Sequence, residues 1–295
     1  MENKTNSKKS LIMLISAMFI WGTIGIFRKY IPLPSSTLAF VRGFIGTIFL
    51  ILLILVKREK IQWSAVKANL FMLIASGAFI GFNWILLFES YRYTSVATAT
   101  LCYYMAPIIV ILASPFVLKE KLTVKKLICV AVALSGMVLV SGVIGVEFTG
   151  AGEFKGIFFG LGAALFYATV MLMNQKIRNI PAYDKTIMQL ASAAIVVLPY
   201  TLLTEDLTGI TYTPFIILMI LILGIVHTGI AYALYFGSMD NLKAQTIALF
   251  SYIDPITAII LSATLLREGM GAMEAVGAVL VLGATIVSEL PEKKK

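Results

Sequence analysis

One segment of this chain occurs twice. Pro107 and Pro255 are 148 positions apart, and at that offset eleven further residues from Leu86 to Glu120 meet identical residues in the second copy. Self-similarity at one fixed offset is the signature of an internal repeat. A duplicated unit must fold twice in the same way, so the repeat limits the fold more than any single motif does.

The two copies differ in the charge of their loops. Lys121 of the first copy is replaced by Gly269 in the second, and Lys125 is replaced by Met273. Positive charge collects in the cytoplasmic loops of membrane proteins. A copy that has lost its loop lysines is therefore predicted to cross the membrane in the opposite sense, which is a common design of secondary transporters.

The duplication covers nearly the whole chain. At the slightly shorter offset of 146, Trp21 in the first helix of one copy aligns with Tyr167 in the first helix of the other. We therefore predict two repeats of five helices each, 1–145 and 146–295, with the second inverted relative to the first.

Long apolar runs place the chain in a membrane. Hydrophobic residues make up 59% of the sequence and charged residues only 13%, which is far too apolar for a soluble domain of this length. A helix needs about 20 apolar residues to cross a bilayer. The predicted spans are 11–30, 35–56, 67–91, 95–117, 123–143, 154–175, 183–203, 213–237, 242–265 and 271–288. The expected fold is an all-α integral membrane protein, with ten transmembrane helices around a central cavity.

Basic residues alternate between the loops. Lys57, Lys121, Lys185 and Lys243 fall on one predicted face, and the opposite face is much poorer in lysine and arginine. This bias predicts cytoplasmic N- and C-termini and a place in the cell membrane. The net charge of +9 is spread over short loops, so we expect no nucleic-acid partner. No cofactor and no metal are expected either, because the cysteines lie inside apolar runs without metal-ligand spacing.

Short motifs in both copies resemble those of a known family. In the first copy they are Trp21-Gly22, Val41-Arg42-Gly43-Phe44, Pro107 and Leu118-Lys119-Glu120-Lys121-Leu122. In the second copy they are Asp254-Pro255, Leu266-Arg267-Glu268, Gly277 and Gly283. The pattern resembles the EamA-type domain of the drug/metabolite transporter superfamily. This resemblance implies a cavity lined by the first, third, fourth, sixth, eighth and ninth helices, and export of amino acids and other small metabolites. One departure is that the Arg42 position falls near Gln189 in the second copy.

Aromatic and amide side chains on the predicted cavity helices form a candidate substrate path. Small-molecule pockets are largely apolar and carry a few placed polar groups. Aromatics near a membrane interface could instead be belt anchors. The residues predicted to bind substrate are Trp21, Asn83, Trp84, Tyr104, Tyr167, Tyr252 and Asp254.

Four of the ionisable residues within the predicted spans are candidates for a function, because a charge at bilayer depth needs a partner or a function. Asp254 is expected to bind substrate or protons, or else to pair with His227, Arg42 or backbone amides. Arg42 holds a carboxylate or clamps helix carbonyls. Glu89 pairs with Arg92 or carries a proton, and His227 couples protons or forms an interhelical hydrogen bond.

Two further pairs of residues match across the repeat. Pro107 and Pro255 are predicted hinges for alternating access, with static kinks as the alternative. Glu120 and Glu268 fix a helix start or pair with adjacent basic residues.

The expected function is secondary transport. We predict an exporter of small metabolites such as amino acids, driven by proton exchange or by the solute gradient, whose partners are a small-molecule substrate and the lipid bilayer. A zwitterion with an apolar side chain or an organic cation would fit. A lipid or lipid-linked-sugar translocase is the alternative. An intramembrane enzyme is disfavoured, because no catalytic motif is present. An inverted repeat in one chain supplies both halves of a pathway, so a monomer is expected to suffice.

Overall fold

The computed structural model describes residues 2–28, 30–94, 96–140, 144, 151–206, 212–265 and 271–290, and every regular element within these ranges is a helix. The helices are α1 (Glu2–Gly22), α2 (Ile24–Arg28), α3 (Ser35–Val56), α4 (Trp63–Tyr93), α5 (Val96–Tyr103), α6 (Ala106–Leu118), α7 (Val124–Val140), α8 (Ala151–Asn174), α9 (Ala182–Thr204), α10 (Pro214–Gly224), α11 (Ala231–Ser238), α12 (Ala244–Phe250), α13 (Ile253–Leu265) and α14 (Ala272–Glu289). A π-helical turn, Ile225–Ile230, joins α10 to α11. The motif Leu266-Arg267-Glu268 lies outside the described residues.

The helices match the predicted spans. Within the described ranges, seven helical segments are long and apolar enough to cross a bilayer. Helix α7, the broken pair α12–α13 and helix α14 supply the other three of the ten predicted segments. The prediction of an all-α membrane protein is thus confirmed.

Apolar side chains cover the outside of the bundle. Phe71, Phe116 and Leu203 are each more than 80% exposed. In water, so many exposed apolar side chains would favour aggregation. In a bilayer it is the surface that faces lipid, because a helix satisfies its backbone hydrogen bonds internally.

Helix α4 packs against α8 and α9, which joins the two repeats at the centre of the bundle. The backbones come close because Gly77 has no side chain: a Cβ atom there would lie 2.5 Å from the carbonyl oxygen of Gln189. Small residues allow this close approach between membrane helices. The repeats therefore share one core and are not two separate domains.

The fourth span of each repeat is broken close to the proline at which the sequence predicted a hinge or a static kink. The first break separates α5 from α6 at 104–105, and the second separates α12 from α13 at 251–252. Pro107 is the second residue of α6, and Pro255 lies in the first turn of α13. Proline is tolerated there because those backbone positions need no intrahelical donor. Each repeat thus presents the start of a half-helix inside the bundle.

A central cavity between the repeats

A cavity of about 390 Å³ opens among helices from both repeats. Its lining residues include Arg28, Ser35 and Tyr91, which lie where α2 ends, α3 begins and α4 ends. The cavity therefore reaches the membrane face at which these helix ends lie. We call this the cavity face and the other the sealed face.

Two of the predicted charged residues line this cavity. The guanidinium carbon of Arg42 lies 4.6 Å from the ring centroid of Trp84, and its Nε is buried without a hydrogen-bond partner. Asp254 is half-buried in the first turn of α13. Within the described part of the chain, neither side chain forms an ion pair. A basic and an acidic side chain thus face one space without pairing with each other, so both are available to a solute.

Aromatic rings form the cavity wall. Tyr103 stacks on Tyr167 with ring centroids 5.5 Å apart, and the hydroxyls of Tyr167 and Tyr235 lie 3.1 Å from each other. Trp21 donates its indole N–H to the carbonyl oxygen of His227 at 2.8 Å. These partners hold the rings in place, which gives a preformed and mostly apolar site.

Two predicted substrate-binding residues do not line the central cavity. Asn83 is buried and donates its amide to the carbonyl oxygen of Ala163 at 2.7 Å. Tyr252 is 1% exposed and donates its hydroxyl to the carbonyl oxygen of Tyr104 at 3.0 Å. Both side chains form hydrogen bonds to backbone carbonyl groups behind the cavity wall. The other predicted substrate-binding residues lie around the cavity: Trp21, Trp84, Tyr104, Tyr167 and Asp254.

Glu89 is engaged by other side chains near the cavity. It pairs with Arg92 at 2.9 Å and accepts a hydrogen bond from the hydroxyl of Tyr200. This arrangement supports the ion-pair alternative over a proton carrier.

His227 is likewise held by its neighbours. It lies on the π-helical turn, with Nε2 2.7 Å from the hydroxyl of Thr23 and its ring against Phe27. The interhelical hydrogen bond considered from the sequence is therefore present, and Asp254 is not its partner.

Further lining residues were not among those predicted to bind substrate: Arg28, Ser35, Tyr103, Tyr232 and Ser251. The repeat held a signal for one of them, since Tyr232 occupies the position of Trp84 at the offset of 148. Arg28 is held by the carbonyl oxygens of Ile31 and Leu33. Nothing in the sequence indicates that connection.

Polar contacts close the opposite face. The amide of Gln175 donates to the carbonyl oxygens of Met239 and Leu242 at 3.2 and 3.0 Å. Lys185, predicted on the same face as the loop lysines, is fully buried and pairs with Asp240 at 3.0 Å. Because α9 begins at Ala182, this lysine lies in the first turn of the helix.

Glu120 also lies at the sealed face. It accepts hydrogen bonds from the backbone amides of Ala244 and Gln245 at 2.9 and 3.4 Å, and these residues begin α12. It therefore fixes a helix start, as one of the two alternatives predicted, and it does so across the repeats. Glu268, its counterpart, lies outside the described residues.

The fold and the cavity define a class: a multi-pass, all-α membrane protein with a solute-sized cavity that reaches one membrane face. The chain belongs to the EamA-like transporter family, whose sequence profile matches residues 8–142 and, a second time, residues 154–289. It is therefore a membrane transporter, and the resemblance noted from its motifs is confirmed.

Named relatives agree with this family. The chain is 34% identical to "Uncharacterized transporter YxxF" of Bacillus subtilis (strain 168), over 85% of its length and 80% of that protein. It is 24% identical to "Protein RarD" of Escherichia coli (strain K12), over 90% and 88% of the two chains. A protein of known crystal structure shares the fold with a TM-score of 0.85 at 18% identity, over 96% of this chain and 97% of that one.

Proposed function

We propose that the chain exports small zwitterionic metabolites, such as amino acids with apolar side chains, by alternating access. One observation carries the proposal: Arg42 and Asp254 line the same cavity, and within the described residues neither is neutralised by an ion pair. An unpaired charge at bilayer depth costs about 3 kcal/mol or more, so its presence within a span points to a function. A solute with one charge of each sign would satisfy both residues.

The recognition chemistry follows from the cavity wall. The fork of the Arg42 guanidinium suits a carboxylate, and Asp254 suits an ammonium group. The aromatic rings between them, Trp21, Trp84 and Tyr104 among them, would contact an apolar side chain. The half-helix start beside Asp254 is a feature of transporter binding sites.

Orientation supports export. The sealed face carries the lysine-rich loops, which belong in the cytoplasm. On that basis both termini are cytoplasmic, the protein lies in the cell membrane, and the cavity faces outward as it would when substrate leaves. Asp254 would then take up a proton from outside after the ammonium group departs, so that proton entry drives metabolite exit.

Movement between the two states needs pivots. The breaks at 104–105 and 251–252 divide the fourth span of each repeat, and we place the rocking motion there, with Pro107 and Pro255 as hinges. A single chain contains both repeats, so the monomer is the transporting unit. A Pro255→Ala variant that transports at the normal rate would count against the hinge.

The direct test is flux in proteoliposomes. Labelled amino acids and cationic dyes are offered with and without a pH gradient, to the wild type, to Asp254→Asn and to Glu89→Gln. Glu89 is the matched control because it is an acid near the same face but is engaged by Arg92. We expect amino-acid flux that responds to the gradient, is lost in Asp254→Asn and is largely kept in Glu89→Gln.

Other results would redirect the assignment. Flux of dyes without amino acids would make the substrate an organic cation, which needs Asp254 but not Arg42. Passage of fluorescent lipid with no solute flux would replace the exporter by the lipid translocase. Equal loss in Asp254→Asn and Glu89→Gln would remove the special role of Asp254.

A further inference from the structure

We infer that the sealed face contains a second, closed binding vestibule for the same class of solute, in which Lys185 and Gln189 on α9 take the parts that the cavity face gives to Arg42 and Asp254. The inference rests on the proposed function for the identity of the solute. Its basis is a comparison of the two repeats, residue by residue, in one structure.

The second span of each repeat starts in the same way. Pro34 precedes α3 with φ −54° and ψ 148°, and Pro181 precedes α9 with φ −56° and ψ 143°. These prolines are 147 positions apart. At that offset the cavity-lining residues Leu38, Ala39 and Arg42 correspond to Lys185, Thr186 and Gln189.

The third span of each repeat shows the same correspondence. At the offset of 148, the cavity-lining residues Leu87 and Phe88 correspond to Tyr235 and Phe236 on α11. In the first repeat Leu87 and Phe88 are half-buried at the cavity wall. In the second repeat the corresponding side chains are all fully buried, and Lys185 donates to the carbonyl oxygen of Phe236 at 3.1 Å. The α9–α11 seam is thus the cavity of the second repeat in its closed form.

One hydrogen-bond acceptor at this seam has no donor. Gln189 donates from Nε2 to Ser76 and Asn174 at 2.6 and 3.2 Å, but its Oε1 is buried with no hydrogen-bond partner. A buried acceptor without a donor destabilises the closed state. An N–H donor reaching Oε1 from an ammonium group would satisfy it once the seam parts.

Lys185 supplies the complementary group. The Lys185 side chain is fully buried, while the side chain of its partner, Asp240, is 43% exposed at the sealed face. The carboxylate of Asp240 occupies the place that a substrate carboxylate would take. Lys185 and Gln189 are four residues apart on one helix, so both project from one side of α9. The vestibule would hold a zwitterion, with its carboxylate at Lys185 and its ammonium at Gln189, as substrate enters from the cytoplasm.

Cysteine labelling tests the vestibule without relying on transport. Cys102 and Cys129 are first replaced by serine, and Thr186→Cys and Leu190→Cys are then made separately. Both positions are fully buried on α9, but the counterpart of Leu190 is Gly43, which does not line the cavity in the described chain. A membrane-impermeant maleimide is applied to each side of proteoliposomes, and Ser35→Cys reports access from the cavity face.

We expect the reagent to reach Thr186→Cys from the sealed face at least about tenfold faster than Leu190→Cys, because only one position lies on a seam that opens. Adding Asp240→Asn should speed this labelling further, since the closed state loses its ion pair. Labelling of Thr186→Cys no faster than Leu190→Cys would overturn the vestibule.

Sided transport tests the ligand. Lys185→Gln should raise the KM for amino acid offered at the sealed face by about tenfold or more, which is the effect of losing one charge-assisted hydrogen bond. The KM at the cavity face should stay within about twofold of wild type. An equal rise at both faces would overturn the role of Lys185. Rapid labelling of Thr186→Cys in a protein that moves no amino acid would instead retain the vestibule and refute the proposed solute.

Discussion

The contact between Glu120 and helix α12 gives a quantitative prediction about stability. Lys243 stands at the N-cap of α12, and its side chain makes no capping hydrogen bond. Glu120 fills that role from the other repeat, through the amides of Ala244 and Gln245 at 2.9 and 3.4 Å. We therefore expect Glu120→Ala to loosen the start of α12 and, with it, the sealed face.

The size of the effect follows from these distances. A hydrogen bond to a charged group contributes about 1.5–3 kcal/mol, and the longer contact at 3.4 Å adds little. Interaction of the carboxylate with the helix start adds about 0.3–1 kcal/mol. The half-exposed position reduces the sum, so we expect a loss of about 2 kcal/mol. At about 2–4 °C per kcal/mol for a chain of this size, the melting temperature should fall by about 4–8 °C.

Thermal unfolding in detergent, followed by intrinsic fluorescence, measures this shift. Glu59→Ala is the control, since Glu59 is an exposed acid at the same face whose carboxylate forms no hydrogen bond or ion pair within the described residues. Glu120→Gln keeps an acceptor oxygen and should recover part of the loss. Equal melting temperatures for Glu120→Ala and Glu59→Ala would refute the cross-repeat cap.

Two other substitutions probe the packing. Gly77→Ala should lower the free energy of unfolding by about 1–3 kcal/mol, because its new Cβ would meet the carbonyl of Gln189 at 2.5 Å. Gly283→Ala, with no atom within 4 Å, should be neutral or slightly stabilising, and a similar cost for both glycines would contradict the close contact. Trp21→Phe should cost about 1 kcal/mol by leaving the carbonyl of His227 without its donor. Melting temperatures measure all three, and an unchanged Trp21→Phe would show that this hydrogen bond is not stabilising.

Much of the architecture could be predicted from the sequence because the signals are local. A helix must be about 20 apolar residues long to cross a bilayer, so the spans are visible one at a time. The repeat then linked distant segments, and the structure places Trp84 and Tyr232, a repeat pair, in one cavity wall. Asp254 and Arg42 could be singled out because a charge within a span is rare enough to notice.

The orientation of each helix about its axis was not predictable in the same way. Helix α4 is apolar on all sides, and a uniformly apolar helix does not indicate which face points inward. Asn83 and Trp84 are neighbours in sequence, yet only Trp84 faces the central cavity. The π-helical turn at Ile225–Ile230 also depends on packing between helices, which no single segment encodes.

Sequence alone determined that the chain is a duplicated helical membrane protein, since span length and repeat offset are properties of the chain itself. Only the tertiary structure decided which copy is open. The copies share one core, and in this state Lys185 on α9 is tied to Phe236 and Asp240 while the equivalent positions of the first repeat line a cavity. That choice is a balance of contacts between helices far apart in the chain, so it belongs to the folded molecule and not to either repeat.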